Sequence, residues 1–243
     1  MKTRLVYLIG TVTLVIGAVA TLLTTLSANA ATPAASSVTW TDDFSSASLD
    51  SRWSWIREDP THWSLTARPG FLRLTTQQTF SNVNNLLVQN APVGDYEILT
   101  RVIFTPTENF QIASLLAYQD DNNSLALGRA YCDVPPPTCV GNGIYFDRVE
   151  GGSLVGSNFA MTTTVQGDAY LRMLRHGNVY TGYVSTDGTN WILVGVHTVT
   201  ITPTQIGFKA SNQAQGATEI PADFDFFTLI DNSQRLYLPL ILK

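Results

Sequence analysis

Cysteine, histidine and charge are all scarce in this sequence of 243 residues. It contains two cysteines, three histidines and 14% charged residues, and 14 basic against 19 acidic side chains give a formal net charge of -5. Nucleic-acid binders need clustered basic side chains that replace the counterions of phosphate, whereas the arginines here are spaced singly. We therefore expect no nucleic-acid partner and no attraction to an anionic membrane surface.

The local motifs of several catalytic classes are also missing. The sequence has no glycine-rich phosphate loop, no His-Glu-x-x-His helix and no EF-hand spacing. It has no Gly-x-Ser-x-Gly elbow for a serine nucleophile. Three histidines, His62, His176 and His197, are scattered between a loop, a turn and a strand end. The sequence therefore gives no support to nucleophilic catalysis.

Residues 1–30 predict an export signal. Lys2 and Arg4 precede an apolar run over residues 5–26, and small residues at Ala28 and Ala30 suit a signal peptidase. Since about 20 apolar residues can also span a bilayer, an uncleaved anchor is the alternative. Cleavage would leave 213 residues and change the formal charge from -5 to -7, a size that suits one large all-β domain. We expect a secreted or cell-surface protein.

The two cysteines, Cys132 and Cys139, bracket the proline-rich stretch DVPPPT. In an exported protein this spacing predicts a local disulfide, and closing so short a loop should stabilise the fold by about 2 to 3 kcal/mol. A metal-binding pair is the alternative, but zinc needs four ligands and the histidines are dispersed.

The rest of the chain alternates apolar and polar residues in short runs. In YEILTRVIF, Tyr96, Ile98, Val102 and Phe104 share one face, as in a half-buried strand. Pro-Gly, Asp-Asn and Gly-Gly turns separate such runs. The spacing predicts an all-β sandwich or barrel of roughly a dozen strands, with a flexible lead over residues 31–37, one domain over 38–232 and an apolar tail over 233–243. The tail suits an edge strand or an attachment tag.

Five segments occur in an order that resembles a known family: DDFSSASLDSRWSW, HWSLTARPGFLRL, LLAYQDDNNSLALG, YLRMLRHGNVYTGYVSTDGTNW and ADFDFFTL. Together, over residues 42–230, they resemble the concanavalin A-like C-terminal domain of glycoside hydrolase family 43 β-xylosidases. The resemblance implies a two-sheet antiparallel β-sandwich of the jelly-roll, lectin and glucanase type. In those enzymes the domain is an accessory to a five-bladed propeller that carries the catalytic carboxylates, and the sandwich fills the length predicted for this mature chain.

A pair of catalytic carboxylates is not favoured. Hydrolysis of a glycosidic bond needs two carboxyl groups about 5 to 10 Å apart, and the pairs to consider are Asp95/Glu97, Asp223/Asp225 and Asp120/Asp121. These residues suit solvated faces or strand ends, and the Glu-x-Asp-x-x-Glu run of glucanases with this fold is absent. The segment STDGTNW is one residue short of the sialidase Asp-box and occurs once, so it is interpreted as a hairpin turn.

A structural calcium ion is a possible cofactor, because many exported sandwiches of this class tie the first strand to the last through oxygen ligands. Asp42 and Asp43 near the start and Asp225 near the end would supply the carboxylates. Solvated strand ends are the alternative role of these residues.

Candidate ligand-binding residues are charged residues within apolar strands, tyrosines near them in sequence, and the exposed loop REDPTH. A half-buried strand should direct such charges to the outer face of the sandwich, and aromatic rings beside them could stack on a sugar, although most aromatics in a sandwich fill its core. The residues are Arg57, His62, Arg101, Tyr118, Arg129, Tyr145, Asp147 and Arg172.

The function that the sequence predicts is an exported, non-catalytic carbohydrate-binding or accessory module. By resemblance its partner would be a plant or microbial polysaccharide such as xylan. A cell-surface structural or adhesion protein is the alternative, and a small glycoside hydrolase or polysaccharide lyase is less favoured.

Overall fold

The computed structural model describes residues 37–79, 82–133, 139–156, 159–162, 167–214 and 216–233. These residues contain no helix and form seventeen strands. In chain order the strands are β1 (Val38–Asp42), β2 (Ser54–Ile56), β3 (Trp63–Ser64), β4 (Leu72–Thr75), β5 (Leu86–Asn90), β6 (Tyr96–Ile103), β7 (Gln111–Asp120), β8 (Asn123–Cys132), β9 (Gly141–Glu150), β10 (Ser153–Leu154), β11 (Phe159–Thr162), β12 (Asp168–His176), β13 (Val179–Ser185), β14 (Ile192–Thr198), β15 (Gln205–Asn212), β16 (Pro221–Phe224) and β17 (Phe227–Asp231).

The strands form two antiparallel sheets packed as a sandwich. The first sheet has the order β14-β13-β12-β6-β16-β4-β3, with β17 also paired to β6 and β1 paired to β17. The second has the order β10-β9-β8-β7-β15-β5-β2, with β11 beside β9. The predicted two-sheet antiparallel sandwich is therefore confirmed. Both sheets combine strands that are distant in sequence, since β15 lies between β5 and β7.

Alternation along the strands places apolar side chains between the sheets. Tyr96, Ile98, Val102 and Phe104 are buried as predicted, while Arg101 points away from the core. Aromatic rings join the two sheets, because Phe208 of β15 lies 4.3 Å from Phe224 of β16 between ring centroids. Burying such large rings supplies much of the stability of a sandwich core.

The Pro-Gly turn joins β3 to β4 as the sequence predicts. The Phe71 amide donates to the Arg68 carbonyl at 3.1 Å, and Gly70 adopts a φ of +78°, the left-handed conformation that a type II turn requires at its third residue. Strand β2 does not belong to this hairpin, however, because it pairs with β5 in the second sheet. Trp55 of β2 instead meets Trp63 of β3 across the sandwich, with centroids 4.9 Å apart.

No helix among the described residues is long and apolar enough to cross a membrane. The predicted signal over residues 1–30 and the tail from residue 234 onward lie outside the described part of the chain.

Candidate functional site

A cavity of about 560 Å³ opens on the outer face of the second sheet. Sites for small molecules typically measure about 300 to 1,000 Å³, so this volume suits a ligand. Strands β7, β8, β9 and β15 supply most of the floor, and residues before β5 and in the turns after β7 and β9 form the rim. Because neighbouring residues of a strand point to opposite faces, the cavity side chains are those that alternate with the core.

Two neighbouring rows of paired residues, with one residue from each of four strands, form the floor. The first row is Lys209, Ser114, Gly128 and Tyr145, and the second is Gly207, Leu116, Ala126 and Asp147, in the order β15, β7, β8, β9. The positions between the two charged residues are mostly small. A Cβ atom on Gly128 would lie 2.4 Å from the Ser114 Cβ, so glycine is needed where the two strands approach closely. These small residues leave space above the sheet, and that space is the cavity.

Besides Asp121 at the rim, two charged side chains, Asp147 and Lys209, line the cavity. Neither makes a hydrogen bond or a close ion pair with any described residue, although each feels the charge of the other. Burial raises the pKa of Asp147 to about 6, and the positive charge of Lys209 opposes that rise. Burial lowers the pKa of Lys209, and Asp147 opposes that fall. Both side chains are half-buried and face a cavity that opens to solvent, and their burial disfavours the charged form of each.

Aromatic side chains form the cavity wall. The Tyr118 hydroxyl donates to Asp121 at 2.9 Å, and the Tyr145 hydroxyl donates to the Gly141 carbonyl at 2.7 Å, so both rings are fixed in place. Phe110 is 37% exposed at a φ of +66°, an unusual backbone conformation for a bulky residue. Such strained positions cluster at ligand sites. Tyr131 also lines the cavity, and its hydroxyl bonds to no described side chain.

Arg57 is not a lining residue, but it supports one side of the rim through Val83 and Asp121, which line the cavity. Its guanidinium donates two hydrogen bonds to Asp121, at 3.0 and 2.7 Å, and two to the Val83 carbonyl, at 3.0 and 2.8 Å. The paired geometry is the strong form of an arginine–carboxylate contact. Arg57 therefore holds the turn after β7 against the segment before β5 and neutralises Asp121, so its role is to build the rim.

The disulfide between Cys132 and Cys139 lies at the other end of the cavity, and both residues line it. The Cα atoms are 5.2 Å apart, a normal distance for such a bridge. The predicted pairing is confirmed. It connects the end of β8 to the approach of β9, so it supports the wall that Tyr145 completes.

Two predicted ligand residues, Arg101 and Arg172, lie on the opposite side of the sandwich, on the outer face of the first sheet. Arg101 pairs with Asp168 and Asp225, and Arg172 donates to Glu97 at 2.8 Å beside the ring of Trp191. Their charges are therefore matched by carboxylates on neighbouring strands. The structure does not bring them together with the cavity residues.

Arg129 faces the interior instead of the outer surface predicted for it. It is 1% exposed and pairs in register with Ala113 and Ile144, two core residues. Its Nε atom donates to the Asn142 side chain at 3.1 Å, and burial lowers its pKa. The prediction of surface exposure was wrong. Arg129 lies two and four positions after Leu127 and Leu125 on the same strand, so its side chain faces the core as theirs do.

His62 lies away from the cavity. Its Nδ1 atom is 2.9 Å from Asp59 and its Nε2 atom is 3.1 Å from Glu219. The residues of the predicted exposed loop have different locations. Arg57 supports the cavity rim, whereas His62 and Asp59 form a separate polar cluster.

The carboxylates considered for catalysis are held by protein groups. Asp95 accepts a hydrogen bond from the Gly177 amide at 2.9 Å, and Asp223 pairs with Arg73 at 2.6 Å. Asp120 accepts from Asn123, in the predicted turn between β7 and β8. Asp187 of the STDGTNW segment accepts the Thr189 and Asn190 amides, which lowers its pKa. These contacts are those of turn and ion-pair residues.

The carboxylates predicted for calcium are also engaged. Asp42 accepts hydrogen bonds from the Phe44 amide and the Trp53 indole, Asp43 from Ser45, and Asp225 from Arg101. The described residues contain no group of three or more His, Cys, Asp or Glu that could hold a metal. The residues present do not fit a calcium site as they are arranged, and structural calcium stays a prediction.

The sequence interpretation missed two cavity residues, Lys209 and Phe110. A signal for Lys209 was present, because GFKAS places one charge between the core residues Phe208 and Ala210. Phe110 had no local signal, since only its backbone conformation and its place beside β8 distinguish it.

Comparison with known families identifies the family of this sandwich. The model of the beta xylosidase C-terminal concanavalin A-like domain matches residues 41–229. The chain belongs to this family. Every residue that lines the cavity falls inside the matched segment, so the cavity is part of the β-xylosidase C-terminal concanavalin A-like domain itself.

Relatives of this domain are longer proteins. A protein of Escherichia coli named "Putative beta-xylosidase" is 36% identical over 98 residues, which cover 37% of this chain and 18% of that protein. A crystal structure of xylan beta-1,4-xylosidase from Bacillus halodurans superposes with a TM-score of 0.66 at 25% identity, over 78% of this chain and 38% of that one. A glycoside hydrolase family 43 protein from Bacillus licheniformis gives 0.69 at 23% identity, over 79% and 39%, and shows the shared fold. The chain thus spans well under half of these relatives.

Proposed function

We propose that this protein is an exported, non-catalytic module that binds a plant or microbial polysaccharide such as xylan, and that the sugar occupies the cavity of the second sheet. The observation that carries the proposal is the lining of this cavity. An exposed ring, Phe110, lies at the wall, and Asp147 and Lys209, which have no hydrogen-bond partner among the described residues, lie at the floor.

This combination matches the chemistry of a sugar. The apolar face of a pyranose ring packs on an aromatic face, while its hydroxyls need donors and acceptors that the protein has not already used. Small-molecule sites generally join an apolar lining to a few placed polar groups. Membership of a family of β-xylosidase domains supports a xylan-related ligand. The apolar run before Ala28 and Ala30 supports export to the medium or the cell surface.

Retention on insoluble xylan, arabinan, cellulose and peptidoglycan tests the proposal, with isothermal titration calorimetry on soluble oligosaccharides of any glycan that retains the protein. We expect retention by at least one β-linked glycan. Phe110→Ala should weaken binding by about 1 to 3 kcal/mol, when the loss of a sugar–aromatic stack is taken as similar to that of a nucleobase–aromatic stack.

Trp191→Ala is the matched control, because it removes a half-buried aromatic ring from the outer face of the first sheet. It should leave binding unchanged. Loss of binding in Trp191→Ala but not in Phe110→Ala would move the site to the opposite face, and no retention on any of the four glycans would overturn the proposal. Fractionation of the producing cells and determination of the mature N-terminus, expected at Ala31, test export.

A further inference from the structure

The two unpaired charges of the cavity indicate which sugars it would take. We propose that the cavity binds an acidic saccharide, and that Lys209 recognises the carboxylate of a uronic acid unit. This inference rests on the proposed function, and it concerns the chemical class of the ligand. It assigns Lys209 the role of anion recognition and Asp147 the role of a hydrogen-bond donor to the same ligand.

Lys209 is the group that requires a partner. Its ammonium carries three donors and no acceptor, and it meets no carboxylate or carbonyl oxygen at hydrogen-bond distance among the described residues. The backbone of Asp147 lies three strands away, about 14 Å across the sheet at the usual strand spacing, and the two charged groups affect each other without a direct contact. An unpaired charge in an enclosed site is costly, and a ligand carboxylate would remove that cost.

The other charged groups around the cavity do not favour a cation. Asp121 faces the same space, but Arg57 donates two hydrogen bonds to it and Tyr118 a third. The other ring hydroxyls of the lining, those of Tyr131 and Tyr145, belong to neither an ammonium nor a carboxyl group. Lys209 is therefore the only lining cation among the described residues, and Asp147 is the one lining carboxyl without a protein partner.

Acidification should strengthen the recognition of an anion. Asp147 has a pKa of about 6 because of burial, so it is mostly ionised at pH 7.5 and mostly protonated at pH 5. Burial also lowers the pKa of Lys209, and a fall in pH favours its charged form. Both changes make the cavity more positive, while a uronic acid keeps its own carboxylate down to about pH 4. Protonated Asp147 can also donate a hydrogen bond to the ligand.

The small residues of the floor give the carboxylate its access. Ser114 and Gly128 follow Lys209 in its own row of the floor, and Ala126 lies in the next row beside Leu116, so the positions beside Lys209 in its row carry small side chains. Phe110 and Tyr131 border the same space. A uronic acid unit could thus contact Lys209 through its carboxylate while a neighbouring neutral unit packs against an aromatic ring.

A matched pair of ligands tests the inference. The first is a xylo-oligosaccharide that carries one glucuronic acid branch, and the second is the same molecule after reduction of the carboxyl group to an alcohol. The two molecules differ only at this group, which is an anionic carboxylate in the first and a neutral alcohol in the second. Calorimetry on the full mature protein at pH 5 should show at least about tenfold tighter binding of the acidic member. From pH 7.5 to pH 5 its affinity should rise about tenfold or more, while that of the reduced member should stay level.

Two variants assign the effect to residues. Lys209→Met keeps the aliphatic stem and removes the charge and its donors, so it should abolish the preference for the acidic member by weakening the binding of that member more than the binding of the reduced one. Asp147→Asn should flatten the pH dependence by raising the affinity for the acidic ligand at pH 7.5. Near-ultraviolet circular dichroism checks that both variants fold.

The outcomes separate this inference from the proposed function. Equal binding of the acidic and reduced ligands would overturn the inference and support the proposed function. Tighter binding of an amino sugar than of either ligand would overturn the inference in favour of cation recognition by Asp147. No binding of any saccharide would overturn both.

Discussion

Charged side chains have different surroundings on the two outer faces of the sandwich. On the first sheet, Arg101, Arg172 and Asp223 each contact an opposite charge on a neighbouring strand. On the second sheet, Asp147 and Lys209 lie in a cavity and have no direct partner in the part of the chain that the structure describes. The paired face is built as a stable solvated surface, whereas unpaired and enclosed charges with shifted pKa values are typical of functional sites.

The first test of this contrast is Asp147→Asn, for which we expect the largest change in stability. A carboxyl with a pKa of about 6 in the folded protein, against an ordinary value of 3.8, favours folding while it is protonated and loses that advantage as the pH rises through 6. The ionised form therefore costs up to about 3 kcal/mol at pH 7. Asparagine removes this cost, so the variant should be more stable than the wild type at pH 7.

Urea denaturation at pH 7 and at pH 4 measures the free energy of unfolding of the wild type and of the variant. The difference between variant and wild type should be greatest at pH 7 and should shrink toward zero at pH 4, where the wild-type carboxyl is largely protonated. A variant that is less stable than the wild type at pH 7 would show that Asp147 has a stabilising partner, and the contrast between the faces would fail.

The second test concerns the covalent support of the cavity face. Replacing both Cys132 and Cys139 by serine should lower the free energy of unfolding by about 2 to 3 kcal/mol, because the unfolded chain regains the freedom of the closed loop. A reducing agent should lower the wild-type stability by a similar amount and leave the double variant unchanged. If the variant keeps full stability but loses glycan binding, the bridge supports the wall of the cavity alone.

Asp223→Asn tests the paired face. Asp223 is 5% exposed and accepts hydrogen bonds from Arg73 at 2.6 and 2.8 Å and from Arg68 at 3.2 Å. Removing its charge leaves two arginines without their carboxylate, and because both arginines are partly solvated we expect a loss of about 1 to 2 kcal/mol at pH 7. The sign is opposite to that of Asp147→Asn, although the chemical change is the same. If both variants changed the free energy of unfolding in the same direction, the proposed difference between the two faces would be contradicted.

Much of the fold was predictable because its signals are local. Alternation placed Tyr96, Ile98, Val102 and Phe104 in the core, Pro69-Gly70 marked a turn, and two cysteines seven positions apart marked a disulfide. The ordered family segments then indicated the sandwich. Each of these signals depends on a few neighbouring residues and on the geometry of one strand or one turn.

The candidate site was predictable only in part, because it is assembled from strands that are distant in sequence. Alternation shows that Asp147, Arg101 and Arg172 avoid the core, but it does not show which sheet each joins. Only the pairing of β15 with β7 brings Lys209 into the same cavity as Tyr145 and Asp147. Arg129 was misplaced for a different reason: its charge was given more weight than its spacing from Leu125 and Leu127.

The smallest effect we expect concerns calcium at the strand ends of the first sheet. Both Asp42 oxygens accept protein donors and Asp225 pairs with Arg101, so an ion would have to displace existing hydrogen bonds to gain ligands. Thermal denaturation with millimolar calcium and with a chelator should therefore give midpoints within about 1 °C of each other. Magnesium at the same concentration controls for ionic strength. A midpoint several degrees higher with calcium alone would mean that Asp42, Asp43 and Asp225 rearrange around an ion, and that the paired face also holds a ligand.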